Sequence, residues 1–243
     1  MHPSERSTVF LVSAVSMKVL RKKIIIVPAV LLVLCVAAYP YRYEISEWLQ
    51  NKFGITLPED PRPPGVNDLE WCERNYKDEM LTLSAEYNLP YEYLMALAVL
   101  ECSGNKPAGQ RFEKHILRRL EKIQSGKSMR FEGITTEHLK ALDEQGLKNL
   151  ATSWGPFQLM GYKAIHLDAV VNDLRDEDLA AEIGVKWIKK EYGHFLEKGK
   201  FKDAFHYHNT GDRFPLSGRP KTHDPYYVSN GLKFMKYFAA RKG

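Results

Sequence analysis

The hydrophobic and polar positions of this chain recur with a helical period over most of its length. Strict alternation of apolar and polar residues, which is typical of half-buried strands, is not convincing anywhere. The pattern therefore predicts an all-α fold, or nearly so. The predicted helices cover residues 67–87, 90–101, 111–123, 136–146, 177–196, 202–207 and 226–241.

The helix predicted over residues 90–101 has no polar face along the run 93–100. We expect a helix that is apolar all round to be buried throughout. It ends in one acidic residue, Glu101, and the chain then breaks at Ser103 and Gly104. Apolar surroundings favour the protonated form of a carboxyl group, which can give a proton to a leaving oxygen. The pattern also allows Glu101 to be the first polar residue after a core helix, facing water.

An uncharged apolar run, IIIVPAVLLVLCVAAY, occupies residues 24–39 and directly follows the basic triplet Arg-Lys-Lys. This arrangement predicts a cytoplasmic basic segment at residues 1–23 and a signal peptide or membrane anchor at 24–40. The run is shorter than a full span of about 20 residues, so cleavage and retention both stay open. A start at Met17 rather than Met1 also stays open.

The proline-rich stretch LPEDPRPPG indicates a linker over residues 41–66, followed by one globular domain over 67–243. A chain of 243 residues with 44% hydrophobic content can bury one sizeable core. The net charge of +5 comes from the N-terminal segment. Six of the 35 cations and one of the 30 acidic residues precede residue 44, so 29 of each lie from residue 44 onward. A neutral globular part gives no support to nucleic-acid binding.

Cys72 and Cys102 are the only cysteines outside the apolar run. In an oxidising compartment beyond the membrane they could form a disulfide. The other interpretation is a small buried thiol, because Cys72 shares an amphipathic helical pattern with Leu69, Tyr76 and Met80. The sequence leaves both interpretations open.

Three later stretches combine glycine turns with aromatic and amide side chains. They are SWGPFQLMG at residues 153–161, AFHYHNTG at 204–211 and DPYYVSNGLKFMKYF at 224–238. In this order after Glu-Cys-Ser-Gly-Asn at 101–105, they resemble the transglycosylase SLT domain of lytic transglycosylases. The resemblance covers roughly residues 85–240, and it implies a lysozyme-like fold that cleaves bacterial peptidoglycan.

The resemblance implies a role for each matching residue. Glu-Cys-Ser-Gly-Asn is similar to the family's Glu-Ser-Ser-Gly-Asn, which implies that Glu101 is the catalytic acid and base and that Ser103 binds substrate. Gly-Pro-Phe-Gln-Leu-Met resembles the segment whose glutamine, here Gln158, lines the sugar cleft. Tyr-His-Asn-Thr-Gly resembles Ala-Tyr-Asn-Ala-Gly, whose asparagine, here Asn209, lies beside the substrate. The closing Tyr-Val implies that Tyr227 hydrogen-bonds the catalytic glutamate.

The implied reaction cleaves the β-1,4 bond between N-acetylmuramic acid and N-acetylglucosamine with one carboxyl group. The sugar's acetamido group stabilises the positive charge, the 6-hydroxyl attacks, and the products carry a 1,6-anhydro ring. No cofactor or metal is implied, and His206 and His208, at i and i+2, do not share a helix face as a metal pair would. The implied partners are peptidoglycan strands and, through residues 24–40, the bacterial inner membrane. The domain would face the periplasm or the exterior, or be exported after signal cleavage, and any partner in the cell-envelope machinery is unidentified.

Two departures from the family pattern leave alternatives open. Cys102 stands where the family has serine and is a weaker hydrogen-bond donor, which leaves open a non-catalytic peptidoglycan-binding or scaffold protein. The gap between the acid and the cleft glutamine is long and contains RFEKHI, which together with SWG resembles the N-acetylmuramidase family of phage and bacterial lysins. A hydrolytic muramidase would use a second carboxylate to position water, and Glu113 is the candidate, ahead of Asp212 and Asp224. A surface or ion-paired role for Glu113 is the competing interpretation.

Overall fold

The computed structural model describes residues 62–242, which lie in a compact unit that begins at Arg62. Helices account for most of these residues, so the nearly all-α class is confirmed. The helices are α1 (Asp68–Tyr87), α2 (Tyr91–Cys102), α3 (Lys114–Gln124), α4 (Thr136–Leu139), α5 (Glu144–Leu150), α6 (Glu177–Glu197), α7 (Phe201–Thr210) and α8 (Tyr227–Ala239), with 3-10 helices at Gly161–Leu167 and Val171–Arg175. The strands are β1 (Arg111–Phe112), β2 (Thr152–Trp154) and β3 (Leu159–Met160).

The predicted basic segment 1–23, the signal peptide or anchor 24–40 and the linker up to residue 61 lie outside the described residues. Within residues 62–242, no helix combines the length and the apolar character needed to cross a membrane.

Helix α1 packs against α2 and supports the end of α2 that carries Glu101. The side chain of Asn67 caps α1 by accepting hydrogen bonds from the N–H groups of Leu69 and Glu70. Asn88 then closes α1 in a left-handed conformation with φ 49°. Helix α2 packs against α1 and α8, and the expected burial of its apolar run is confirmed for residues 93–99.

The turn after α2 is fixed by close packing against α1. Ser103 and Gly104 adopt left-handed conformations, with φ 54° and 69°, and these end the helix. A Cβ atom on Gly104 would lie 2.5 Å from the Cβ atom of Cys72 in α1. Glycine is therefore required, and the turn holds the end of α2 against α1.

The three strands form an antiparallel sheet in the order β1, β2, β3, which the sequence pattern did not predict. Arg111 pairs with Ser153, and Ser153 pairs on its other side with Met160. The helix predicted from residue 111 therefore begins at Lys114, because the two residues of β1 pair with β2 instead. Strands of two or three residues are too short for alternation to be visible in a sequence.

The helix predicted over residues 136–146 is in fact two helices. Helix α4 begins after Thr135, whose N–H donates to the ring of His138, and it ends at Leu139. The side chain of Asp143 then accepts from the N–H of Gly146 and caps α5. A second capping residue thus divides the predicted helix.

The described residues form two hydrophobic cores. The larger core surrounds α2 and takes side chains from α1, α6, α7 and α8. The second core lies mainly in the long stretch between Glu101 and Gln158, and its buried members are Ile116, Leu120, Ile123, Ile134, Leu139, Leu147, Leu150, Ala151 and Tyr162. This stretch therefore folds around a core of its own, which we call the second core.

Cys72 and Cys102 are both free and buried. The thiol of Cys102 donates to the carbonyl oxygen of Ala98 at 3.1 Å, and that of Cys72 to the carbonyl oxygen of Met95 at 3.6 Å. Burial raises the pKa of the Cys102 thiol to about 12. The structure therefore agrees with the interpretation of these cysteines as small buried thiols, not with a disulfide.

Candidate active site

Glu101 lies in the last turn of α2, where the buried helix reaches the surface. Its side chain is 17% exposed, whereas Leu97 and Ala98 in the preceding turn are fully buried. Both contacts of its carboxyl group are made through Oε1. Among the described residues, Oε2 has no hydrogen-bond partner, and it is not a fully buried atom. The protein therefore holds one oxygen of this carboxyl group and leaves the other accessible to a ligand.

The first contact to Oε1 comes from Tyr227, which starts α8 and follows Glu101 by 126 residues. Its phenol Oη donates a hydrogen bond to Glu101 Oε1. The two residues meet because α8 packs along α2. Tyr227 is buried, and burial followed by the nearby Glu101 carboxylate raises the pKa of its phenol well above the ordinary value. The phenol thus remains a donor, and this is the contact that the family resemblance implies.

The second contact comes from His208 in α7, whose position the sequence pattern did not reveal. His208 Nε2 lies 3.7 Å from Glu101 Oε1 and 3.1 Å from the carbonyl oxygen of Phe157. Its Nδ1 atom lies 2.8 Å from Tyr192 Oη in α6. Burial lowers the pKa of His208, although the Glu101 carboxylate acts in the opposite direction. A ring that is neutral at neutral pH therefore borders the acid.

His206 and His208 do not act as a pair, as their spacing predicted. His206 Nδ1 lies 2.8 Å from the carbonyl oxygen of Asp212, and its Nε2 accepts from the N–H of Lys221 at 3.0 Å. This ring supports the loop after α7 while the other faces the acid. The spacing of the two histidines predicted this difference, because residues at i and i+2 lie on different faces of a helix. Within residues 62–242, no group of three or more His, Cys, Asp or Glu side chains is placed to hold a metal ion.

Gln158 lies in the turn between β2 and β3 with φ 46°. Its Oε1 accepts from Ser153 Oγ at 2.8 Å, and its Nε2 donates to two glycine carbonyl oxygens, each at 3.2 Å. The carbonyl oxygen of the preceding residue, Phe157, contacts His208. The turn that carries Gln158 is therefore tied to the ring beside Glu101.

Ser103 and Asn209 lie close in the chain to Glu101 and to His208, respectively. Ser103 follows Glu101 by two residues, and its carbonyl oxygen accepts from Arg62 Nη2 at 2.9 Å. Asn209 directly follows His208 in α7 and is exposed. Neither side chain makes a hydrogen bond to another described residue, so both have polar groups to offer a ligand.

Glu113, the predicted second carboxylate, lies between β1 and α3 rather than within a helix. Its Oε1 lies 2.8 Å from Arg111 Nε, and its Oε2 lies 3.2 Å from His115 Nδ1. The side chain is 22% exposed. Both oxygens thus have local partners, and neither contact reaches Glu101.

The two lower-ranked acids have structural partners of their own. The Oδ1 atom of Asp224 accepts from the N–H of Tyr226 at 2.8 Å just before α8. Asp212 contributes its backbone carbonyl to His206. Neither carboxyl group contacts Glu101 among the described residues.

This arrangement can support proton transfer by a single carboxyl group. Oε1 accepts a hydrogen bond from Tyr227 and lies 3.7 Å from His208 Nε2, and Oε2 can give a proton to a bound atom and later take one back. No protein-family model matches the chain, and no curated protein matches its sequence. A functional assignment must therefore be argued from the site itself.

Proposed function

We propose that this chain is a peptidoglycan lytic transglycosylase with a lysozyme-like domain and that Glu101 is its single acid and base. The observation that carries the proposal is the hydrogen bond from Tyr227 to Glu101, across 126 residues, in a helical unit with all four family-like motifs in order. A hydrogen bond from the closing tyrosine to the acid is the contact that the family pattern calls for.

The reaction proceeds in two proton transfers through the accessible oxygen of Glu101. The protonated carboxyl group gives its proton to the glycosidic oxygen, while the acetamido group of N-acetylmuramic acid attacks the anomeric carbon and the leaving sugar departs. The resulting Glu101 carboxylate then takes the proton of the 6-hydroxyl, which attacks the same carbon and displaces the acetamido oxygen. The product is a 1,6-anhydro sugar. No water is consumed, and the carboxyl group ends protonated.

Tyr227 assists by donating to the other oxygen of the carboxyl group. A donor at Oε1 stabilises the carboxylate that forms when the proton leaves. It also fixes the rotation of the carboxyl group, so that Oε2 faces the substrate. Gln158, Ser103 and Asn209 are the substrate contacts in this proposal, because the family pattern gives these positions that role. Ser103 follows Glu101 by two residues, Asn209 directly follows His208, and Gln158 directly follows Phe157, whose carbonyl oxygen contacts His208.

The cysteine that replaces the family's serine lies away from this chemistry. Cys102 is 7% exposed, and its thiol donates within α2 to Ala98. The change therefore exchanges one buried donor for another, weaker one on the core side of the helix. It gives no reason to favour a non-catalytic scaffold.

A hydrolytic muramidase is the second candidate. The position of Glu113 favours a muramidase. This acid directly follows β1, which pairs with β2, and the turn after β2 carries Gln158. The contacts of Glu113 with Arg111 and His115 stand against it, since both carboxylate oxygens are engaged. The products distinguish the two reactions.

The proposal extends to the location of the protein. Residues 24–40 hold it in the inner membrane with the domain facing the periplasm or the exterior, or direct its export if the segment is cleaved. The domain then meets peptidoglycan strands without a cofactor.

The test is mass spectrometry of fragments released from purified peptidoglycan by the full-length protein in detergent. We expect 1,6-anhydro products, each one water lighter than the reducing-end equivalent, and no release by Glu101→Gln. Glu86→Gln is the matched control, because it makes the same chemical change at an exposed position in α1.

Other products would replace the proposal with a named alternative. Reducing-end products would identify a hydrolase and make Glu113→Gln the next variant. Binding to the wall without release by the parent protein would identify a scaffold.

A further inference from the structure

A chain of buried polar groups ends at Glu101. Tyr93 Oη in α2 donates to Tyr192 Oη in α6 at 3.2 Å, and Tyr192 Oη lies 2.8 Å from His208 Nδ1. His208 Nε2 then lies 3.7 Å from Glu101 Oε1. Both tyrosines are fully buried, and the His208 side chain is 8% exposed. These groups are shielded from solvent, so their hydrogen-bond directions are set by one another.

The partners of His208 determine which of its nitrogens carries a proton. A carbonyl oxygen can only accept, so Nε2, which lies 3.1 Å from the carbonyl oxygen of Phe157, carries a hydrogen. Tyr192 already accepts from Tyr93, which leaves its own hydrogen for Nδ1. Nδ1 therefore accepts, and the ring is the neutral Nε2–H tautomer.

The charges around His208 act in both directions. The Glu101 carboxylate favours a positive ring, while burial and the ammonium group of Lys163 disfavour it, and the net effect lowers the pKa of His208. Lys163 lies over the ring of Trp187, 4.6 Å from its centroid, and Trp187 in turn contacts His208 edge to face. The remaining titratable neighbours are phenols, Tyr192 directly and Tyr93 and Tyr227 beyond it, and burial raises the pKa of each.

We propose that His208 is a positioning residue beside Glu101 and that the Tyr93–Tyr192 pair fixes it as a neutral ring whose Nε2–H donates to the carbonyl oxygen of Phe157. A protonated His208 would form an ion pair with Glu101 and hold the carboxyl group ionised, which prevents it from giving a proton. A neutral ring forms no such ion pair, and its hydrogen bond to Phe157 holds the turn that carries Gln158 beside Glu101. The catalytic role of His208 in this proposal rests on the proposed function, whereas the tautomer and charge of its ring do not.

The first test is NMR of the full-length protein in detergent with ¹⁵N-labelled histidine, assigned by difference from His208→Gln. We expect a hydrogen on Nε2 and none on Nδ1 of His208 at neutral pH, with ionisation below the ordinary histidine pKa of about 6.5. An Nδ1–H tautomer, or a doubly protonated ring at neutral pH, would overturn the proposal. This measurement does not depend on substrate or on activity.

The second test compares two substitutions of His208. Gln keeps an N–H donor near the position of Nε2, whereas Leu removes it and keeps the volume. We expect His208→Leu to lower kcat about tenfold to a hundredfold with little change in KM, because the carbonyl oxygen of Phe157 loses its donor and the turn beside Glu101 is no longer held. His208→Gln should recover most of this loss.

Rescue by glutamine separates positioning from mere packing. Gln can donate to the carbonyl oxygen of Phe157, whereas Leu only fills the space of the ring. Equal losses in both variants would show a packing role and refute the proposal. If the parent protein releases no fragments at all, the proposed function fails, but the NMR result still decides the state of His208.

Discussion

Two neighbours of Glu101 Oε1 carry no positive charge at neutral pH. Tyr227 is a phenol, and the lowered pKa of His208 keeps its ring neutral. A cation in either place would stabilise the carboxylate strongly and leave Glu101 ionised, with no proton to give. In the proposed role, where Glu101 both gives and recovers a proton, neutral partners are the better ones because they favour the carboxylate less than a cation does.

The role of Tyr227 is testable by removing one oxygen atom. Tyr227→Phe should lower kcat about tenfold to a hundredfold, because Oε1 loses a hydrogen bond worth about 1.5–3 kcal/mol when the carboxylate forms. The measurement is the rate of fragment release by the folded variant. Tyr226→Phe is the control, since Tyr226 is 68% exposed and adjoins Tyr227 in the chain. Equal rates for both variants would exclude a catalytic contribution from Tyr227.

Individual site residues differed in how far the sequence could predict them. Glu101 stood out because it is the only charged side chain near the end of an apolar helix, and the family-like motifs predicted its meeting with Tyr227. His208 was missed because its neighbours come from α6 and from the Gln158 turn, 16 and 51 residues away. Such contacts depend on how α7 packs, which no local pattern encodes.

At the scale of elements, long helices were predictable and short connections were not. Helix α6 has 21 residues with a helical apolar pattern and follows the capping residue Asp176, so both of its ends could be predicted closely. Strands β1 and β3 have two residues each, and their pairing with β2 is a tertiary event. The turn after α2 was visible as Ser103-Gly104, but its close contact with Cys72 was not.

That turn provides a prediction about stability. Gly104→Ala should lower the free energy of unfolding by about 2–4 kcal/mol, because the new Cβ atom would lie 2.5 Å from Cys72 and φ is +69°. Gly199→Ala is the matched control, with φ +65° and nothing within 4 Å of its Cβ position. It should cost only the backbone strain, about 1–2 kcal/mol. Urea unfolding of both variants measures the difference, and equal costs would contradict the packing explanation.

At the scale of the molecule, the described residues bury apolar side chains in two separate places. The main core holds α2 and the helices that bring Tyr227 and His208 to it. The second core holds α3, α4 and α5 together and adjoins the main core through the sheet and the two 3-10 helices. The sequence indicated that this stretch was unusually long but not that it could form its own core, because the spacing of its apolar residues resembles that of any amphipathic helix.

We therefore expect that destabilising the second core leaves the main core folded. Leu120 is fully buried in it, and Leu120→Ala should cost about 2–5 kcal/mol locally. We expect faster hydrogen exchange at residues 114–151 while the amides of α2 keep their protection. Leu94→Ala, a fully buried leucine in α2, should instead reduce protection throughout the main core. Uniform loss of protection in Leu120→Ala would show that the two cores unfold as one.

A region with its own core can change at little cost to its surroundings. Insertions, deletions and substitutions around α3 to α5 would be absorbed by the second core, while the geometry at Glu101 is maintained by different helices. Selection can therefore reshape this region in small steps without disturbing the contacts of Glu101. Relatives of this protein should accordingly differ most in the length of this region and least in the residues that hold the carboxyl group.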